Sequence, residues 1–307
     1  METKLFKEVA VQWIEAKRKL VKHSTFCAYN LILHTHLLPL LGDNAETSEA
    51  EAQKMVIDKL NAGLARKTVR DILATLKAIV KYGAKHYGWS PISWEIEFPT
   101  ETTAKELPVL TMANQRKLMK HISESPTAQN IGIMMALCTG MRIGEVCALK
   151  WADVDMQSRI IIVKGTIGRI YDYEKKATER LLTSPKTRTS NREIPICREL
   201  LAALRTIRKT TPNALYVVGC GETAKEPRTY RDYFARLLTR LNIPKIVFHG
   251  LRHTFATRCI ECQCDYKTVS TILGHSNVST TLNLYVHPNI DQKKRCIDKF
   301  SKSLALS

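Results

Sequence analysis

The chain has 307 residues, 44% of them apolar, with 47 Lys plus Arg against 29 Asp plus Glu. That length suits about two domains with real cores. The net charge of +18 and a sequence pI of about 9.6, spread over the whole chain, mark a nucleic-acid binder ahead of a membrane-surface protein or an unrelated basic enzyme.

No apolar run approaches the ~18 residues of a membrane span. The opening METKLFKEVAVQWIEAKRKL is amphipathic and unlike a secretory signal. The chain is therefore read as cytoplasmic and nucleoid-associated. Its nine cysteines are read as thiols, not as a disulfide framework.

Residues 1–97 read as helical. Phe6, Val9, Trp13, Ala16 and Leu20 recur at helical spacing and predict one buried face. Ser24 or Thr25 can cap a second helix carrying Phe26, Tyr29 and Leu33, closed by Pro39 and Gly42. Ser48 and Glu51 form a capping-box pattern for a helix ending near Gly63. Thr68 opens a further helix with Val69, Ile72, Leu76, Ile79 and Val80 inward. Arg66, Lys67 and Arg70 crowd its start, where cations beside open amides suit a phosphate and equally suit a solvated helix end. The polar stretch PTETTAKELPVLT, with two prolines, reads as a linker.

Beyond it the spacing predicts helices over 112–124, 127–138 and 142–150, then strands over 159–163, 180–184 and 192–196. PKTRTSN reads as the hairpin loop between the last two strands. Helices return at 197–209 and 228–241 and continue from about 250.

Two patterns imitate other chemistry. A strand-like LYVV precedes Gly219-Cys220-Gly221, but Pro227 follows where a dinucleotide site needs a helix and a second strand; this reads as a turn. His249, His253, Cys259, Cys262 and Cys264 are zinc-type residues in an order unlike the common finger patterns, and no metal is expected there.

Four segments carry a matched set: Thr139-Gly140-Met141-Arg142-Ile143-Gly144-Glu145, with Leu149 and Trp151 after it; Pro185-Lys186-Thr187 with Ser190, Arg192, Ile194 and Pro195; His249-Gly250-Leu251-Arg252-His253-Thr254; and Leu273-Gly274-His275 ten residues before Tyr285. Singly, each is a surface charge or a packing residue. Together they suit phosphodiester transfer. Two arginines can hold non-bridging oxygens with planar paired bonds. A phenol with an ordinary pKa near ~10 needs a base or a strong positive field. A departing sugar oxygen needs a proton. No carboxylate cluster for Mg²⁺ stands beside these motifs, so protein cations are expected to supply the electrostatics, without metal or cofactor.

These segments resemble those of the tyrosine recombinases, or phage-type integrases, and the similarity covers nearly the whole chain. The resemblance implies a mainly α fold with a small β-sheet or hairpin. Its parts would be a helical, SAM-like core-binding domain (1–97), a linker (98–110), a mixed α/β catalytic domain (111–290) and a tail helix for subunit exchange (291–307). It implies that Arg142 and Arg252 clamp the scissile phosphate and that Lys186 protonates the leaving 5′ oxygen. His249 would assist proton transfer at the tyrosine, and His275 would bond a non-bridging oxygen. Tyr285 would form the 3′-phosphotyrosine, with Glu145 orienting the site from behind. Thr25, Arg66, Lys67, Arg70 and Arg188 are the expected DNA contacts.

The implied function is site-specific recombination of a mobile element or phage through a Holliday junction. Implied partners are double-stranded DNA with inverted-repeat core sites, a homo-tetramer on DNA and accessory DNA-bending proteins, with no membrane. Xer-type dimer resolution, a type IB topoisomerase and a non-catalytic regulator are the rivals. There are two departures from the family pattern. Gln263 stands where the family commonly has a glycine, at a cost of ~1 kcal/mol in a left-handed turn. The chain also starts close to the core-binding domain, so an arm-binding domain is expected to be absent, either natively or by shortening.

Overall fold

The structure is a computed structural model that describes residues 4–44, 46–100, 108–183, 191–219, 221–285 and 290–304, with only the backbone described at 283–285, 290–292, 295–296, 299 and 303. The chain divides into two compact units. One is Met1–Ala104 with Arg169–Arg180; the other is Lys105–Gly168 with Leu181–Ser307. The short segment Arg169–Arg180 thus belongs with the N-terminal unit although it interrupts the second unit in sequence.

In the first unit, α1 (Phe6–Arg18) buries Phe6, Val9, Ala10, Trp13 and Ile14. The apolar face stops there: Ala16 is exposed, and Leu20 is 75% exposed because the helix has already ended. Helix α2 (His23–Ile32) starts earlier than expected, with Lys22 at the N-cap and Ser24 and Thr25 inside its first turn. A π-helical stretch, Leu33–Leu37, follows, then α3 (Leu38–Leu41) with Pro39 in its first turn. The Ser48–Glu51 capping box of α4 (Glu49–Asn61) forms: Glu51 N donates to Ser48 Oγ at 3.3 Å and Ser48 N to Glu51 Oε2 at 2.8 Å.

Helix α5 (Arg66–Tyr87) starts two residues before Thr68 and buries Val69, Ile72, Leu76, Ile79 and Val80. A Cβ on Gly83 would meet the Trp89 ring at 2.1 Å, so only glycine lets Trp89 close over this helix and stack on Phe6 at 6.4 Å. These residues form one core, against which Ile170 also packs.

The second unit opens with α6 (Met112–Glu124) and α7 (Ala128–Thr139). Threonines cap both: Thr111 Oγ1 accepts from Asn114 N, and Thr127 Oγ1 from Asn130 N. Helix α7 is buried almost all round, which makes it the central helix of this unit. Helix α8 (Ile143–Ala148) is shorter than the sequence predicts, because Leu149 is already extended and a 3-10 turn follows at Trp151–Asp153.

Strands β1 (Val154–Asp155), β2 (Ile160–Val163), β3 (Thr166–Asp172), β4 (Ala177–Thr183) and β5 (Arg192–Pro195) make two sheets. β4 does not form a hairpin with β5; it pairs with β3, which the sequence reading missed, and β5 pairs antiparallel with β2. The reason lies in the faces. β5 alternates Arg192 and Ile194 inward, matching Ile161 and Val163 of β2, whereas β4 has no buried residue to place on that core.

Helices α9 (Arg198–Thr210), α10 (Pro227–Arg240), α11 (His249–Glu261), α12 (Tyr266–Leu273), α13 (Val278–Tyr285) and α14 (Ile290–Ser303) complete the unit. LYVV forms no strand among the described residues; Tyr216 makes an isolated bridge with Lys150. A Cβ on Gly219 would meet Thr223 O at 2.1 Å, and Gly221 has φ +61°, so both glycines serve a tight turn. Ile297 and Phe300 on α14, and Leu304 just after it, are exposed. Among the described residues no helix is long and apolar enough to cross a membrane.

Gln263, at the position where a glycine is common in the similar family, has φ +59°. The left-handed strain read from sequence is therefore present. Gln263→Gly is expected to raise the urea midpoint of unfolding by the equivalent of up to about 1 kcal/mol, partly offset by the freer unfolded chain. A lower midpoint would show that the side chain outweighs the strain.

Candidate active site

The centre of the second unit is a buried carboxylate. Glu145, 4% exposed, sits in the first turn of α8, where the Arg142 backbone N–H donates to Oε2 at 2.8 Å. Its side chain also receives Arg142 Nη1 at 2.9 Å. From β5, Arg192 grips both oxygens, Nη1 to Oε1 at 3.1 Å and Nη2 to Oε2 at 2.9 Å. Burial pushes this carboxyl up, but the Arg192 bonds and charge, then those of Arg142, outweigh it and leave it below its ordinary value. Such a pair, in a bidentate fork, is rigid in direction as well as strong.

Arg192 also ties the C-terminal helices in. Its Nε donates to Ile272 O at 2.5 Å. Next to that carbonyl, Gly274 ends α12 at φ +67°, where a Cβ would press on the Arg192 side chain at 3.1 Å. Arg142 lies against the same corner, with Nη1 3.5 Å from Leu273 O and Nη2 3.5 Å from Gly274 O. Its side chain stays 37% exposed, so the guanidinium is held on one side and open on the other.

The second arginine is set at the same C-terminal end of α7, two residues before Arg142. Gly140 caps that helix at φ +66°, and its carbonyl accepts from Arg252 Nη1 at 2.9 Å. A Cβ at Gly140 would meet Leu273 at 2.5 Å and Phe255 at 2.7 Å. Glycine is thus needed twice over, for the left-handed backbone and for the close approach of α11 and α12. Arg252 is buried on α11, one turn from His249, whose ring meets His253 edge-on at 4.7 Å.

His275 follows Gly274 and hydrogen-bonds Thr281 Oγ1 of α13 through Nδ1 at 2.8 Å, leaving Nε2 as its other ring nitrogen. Burial first, then Arg252, Arg142, Arg192 and His249, hold the His275 imidazole down at about 4. Burial, then His253, Arg252 and Arg142, do the same to His249 at about 4, against a small opposing pull from Glu145. Two neutral imidazoles therefore stand in the field of three arginines. That arrangement suits an anion spread over several oxygens, with the imidazoles ready to accept or share protons.

The structure thus brings together Arg142, Glu145, His249, Arg252 and His275. Tyr285 ends helix α13 in the same unit; its side chain lies outside the described residues, as do Lys186 and Arg188. Thr25 lies half-buried in α2. In the same N-terminal unit, Arg66 and Arg70 stack on Phe98, each at 5.3 Å, and Arg66 also donates to Pro99 O. Lys67 pairs loosely with Asp71 at 3.6 Å.

The sequence singled out Arg192 but gave it no role in holding Glu145, and it missed Thr281. A charged residue at an inward position of the alternating REIP strand was the available signal for Arg192; nothing local marks Thr281. Among the described residues, His249, His253 and the cysteines after them do not gather into a metal-type cluster; the one such group lies elsewhere.

A mainly helical catalytic-type unit, built on an arginine-clamped glutamate and presenting arginines and histidines together, is the class of protein defined here. Residues 108–292, more than half of the chain, match the model of the phage integrase family, and the chain belongs to that family. It is 31% identical over 184 residues to a XerC-like tyrosine recombinase of Caldanaerobacter subterraneus subsp. tengcongensis, covering 54% of this chain and 47% of that protein. It is 24% identical over 273 residues to the transposase from transposon Tn916 of Enterococcus faecalis, covering 82% of this chain and 66% of that protein. The chain thus spans about half of the first relative and about two thirds of the second. Among solved structures it is similar to the Tn1549 transposon integrase in complex with circular intermediate DNA, at 25% identity and a TM-score of 0.79, covering 97% of this chain and all of that one.

Two predictions follow from the geometry. Arg192→Ala leaves a buried carboxylate with one partner fewer and is expected to cost about 3–5 kcal/mol in chemical denaturation. Arg192→Met with Glu145→Met, which removes both charges, is expected to recover most of that loss while remaining inactive. The second concerns pH. The folded values of His249 and His275 lie below the ~6.5 of an unfolded chain, so the unfolded state binds more protons between about pH 6.5 and pH 4. Stability is then full above that window and falls as pH drops through it. The His249→Gln, His275→Gln double variant should flatten this slope in urea titrations; an unchanged slope would place the protons elsewhere.

Proposed function

We propose that this chain is a site-specific DNA recombinase that serves the integration and excision of a mobile element. The observation that carries the reading is the gathering of Arg142, Arg252, His249 and His275 beside a glutamate held by Arg192. The relatives support the biological side, since two of those described above come from transposons.

In the proposed reaction, Arg142 and Arg252 bind the non-bridging oxygens of the scissile phosphate, and His275 donates to one of them through Nε2. The Tyr285 phenol loses its proton to His249 and attacks phosphorus. The new bond is a 3′-phosphotyrosine ester. The bond to the 5′ oxygen breaks, and that oxygen takes a proton from Lys186. The roles of Lys186, Tyr285 and Arg188 rest on the sequence resemblance. Phosphodiester and phosphotyrosine ester are close in energy, so a second 5′ hydroxyl can reverse the step on another strand without ATP. Strand exchange through a Holliday junction follows, and hydrolysis does not.

The N-terminal helices (1–97) would complete the grip on duplex DNA through Thr25, Arg66, Lys67 and Arg70. The segment 111–290 would be the catalytic domain, and the tail (291–307) would dock on a neighbouring subunit in a tetramer on two inverted-repeat core sites. Exposure of Ile297 and Phe300 on α14 and of Leu304 just after it supports that tail role. Accessory DNA-bending proteins would assist. Xer-type resolution of dimers is the second reading, favoured by the 31% identity to a XerC-like recombinase.

Tyr285→Phe is expected to abolish the covalent protein–DNA adduct on a nicked suicide substrate while leaving DNA affinity within about twofold, because one buried or exposed hydroxyl is a small part of a phosphate-dominated interface. A surviving adduct would sink the assignment.

A further inference from the structure

Away from the arginine site, the N-terminal unit holds a second cluster of chemistry. His23 and Cys27 stand four residues apart on α2, one turn above the other on the same face. Asp172, at the end of β3, comes from 145 residues further along the chain, in the segment that belongs to this unit. One imidazole nitrogen, the Cys27 sulfur and a carboxylate oxygen all lie within 4.8 Å of one another; this is the one such group among the described residues. Cys27 and Asp172 are buried, and His23 is exposed at the rim.

The spacing can be tested against coordination chemistry. Tetrahedral Zn²⁺ with bonds of about 2.3 Å to sulfur and 2.0–2.1 Å to nitrogen separates those two ligands by about 3.6 Å. Cys27 Sγ lies 3.6 Å from His23 Nε2 and 3.8 Å from Nδ1. The near-equal distances mean that neither ring nitrogen is singled out toward the sulfur, and a turn of this exposed ring would aim one inward. Asp172 is oriented from behind: its Oδ1 accepts the backbone N–H of Glu174 at 3.0 Å and of Lys175 at 3.3 Å. Such bonds to a ligating carboxylate are the kind that fix a metal ligand. Lys175 Nζ is 3.8 Å from Oδ2 but 2.7 Å from Glu179 Oε1, so Glu179 holds that cation the more closely.

We propose that His23, Cys27 and Asp172 form a transition-metal site, suited to Zn²⁺, that fastens the β3–β4 turn to helix α2. A mixed nitrogen, sulfur and oxygen set selects Zn²⁺ over Mg²⁺ or Ca²⁺, which take oxygen ligands. Three protein ligands leave a fourth position for water. The turn is also held without metal, by the ion pair of Arg18 with Glu174 and by the stacking of His34 on Tyr173 at 4.3 Å. The metal therefore tightens an attachment that already exists, and the chain is expected to fold without it.

The test uses the full chain carrying Cys262→Ser and Cys264→Ser, which removes two exposed thiols that would bind metal adventitiously. After chelation and dialysis, Zn²⁺ is titrated by calorimetry and Co²⁺ by absorption. The expected result is one Zn²⁺ per chain and a thiolate-to-cobalt charge-transfer band. His23→Ala, a change at an exposed position, should leave the metal-free Tm unchanged and weaken Zn²⁺ binding ~100-fold or more. Cys27→Ala should remove the cobalt band. Absence of stoichiometric binding, or equal binding in His23→Ala and its parent, would overturn the proposal.

Discussion

The second unit depends on one ion pair, the buried Glu145 carboxylate in the fork of Arg192. A carboxylate 4% exposed is unaffordable alone, and here it is compensated by two guanidinium groups and a backbone amide. The partners come from three places: the start of α8, strand β5 and, through Arg192 Nε, the end of α12. Breaking the pair would therefore release a helix start, a sheet edge and a helix end at once. The same bonds leave Arg142 fixed on its inner side and open on its outer side, which is the geometry an anion site needs.

Two left-handed glycines supply the corners around that pair. Gly140 turns the chain so that its carbonyl meets Arg252, and Gly274 turns it so that His275 and the Arg192 guanidinium share one neighbourhood. Neither position has room for a Cβ without moving packed atoms. Burial first, then Arg252 and Arg142, and at His275 Arg192 as well, lower the proton affinity of the two histidines. Binding of a phosphodiester in the proposed reaction would relieve that field and make both imidazoles more basic at the moment when a proton must be taken from the phenol.

The N-terminal unit is organised differently. Its stability rests on an apolar core of amphipathic helices around Trp13, Leu33, Leu37, Ile72 and Leu76. Polar contacts are added where Arg169–Arg180 joins it. Arg66 and Arg70, expected to meet DNA, are already stacked on Phe98, so any phosphate contact they make is pre-oriented by an aromatic ring.

The sequence by itself determined the helices and most of the candidate chemistry. Helical period placed the buried faces of α1 and α5, and Ser48 and Glu51 announced their own capping box, because each of these is a local consequence of nearby residues; the left-handed strain at Gln263 came from the family resemblance. Motifs spaced along the chain also named Arg142, Glu145, His249, Arg252 and His275. Only the tertiary structure decided how these residues are held. That β5 pairs with β2 and not β4 depends on which face meets the core, and a strand does not carry its partner in its own sequence. Arg192 became the anchor of Glu145, and Thr281 the partner of His275, because folding brings together residues far apart in the chain. The same long-range closure set Asp172 beside His23 and Cys27, a meeting that no local spacing could have foretold.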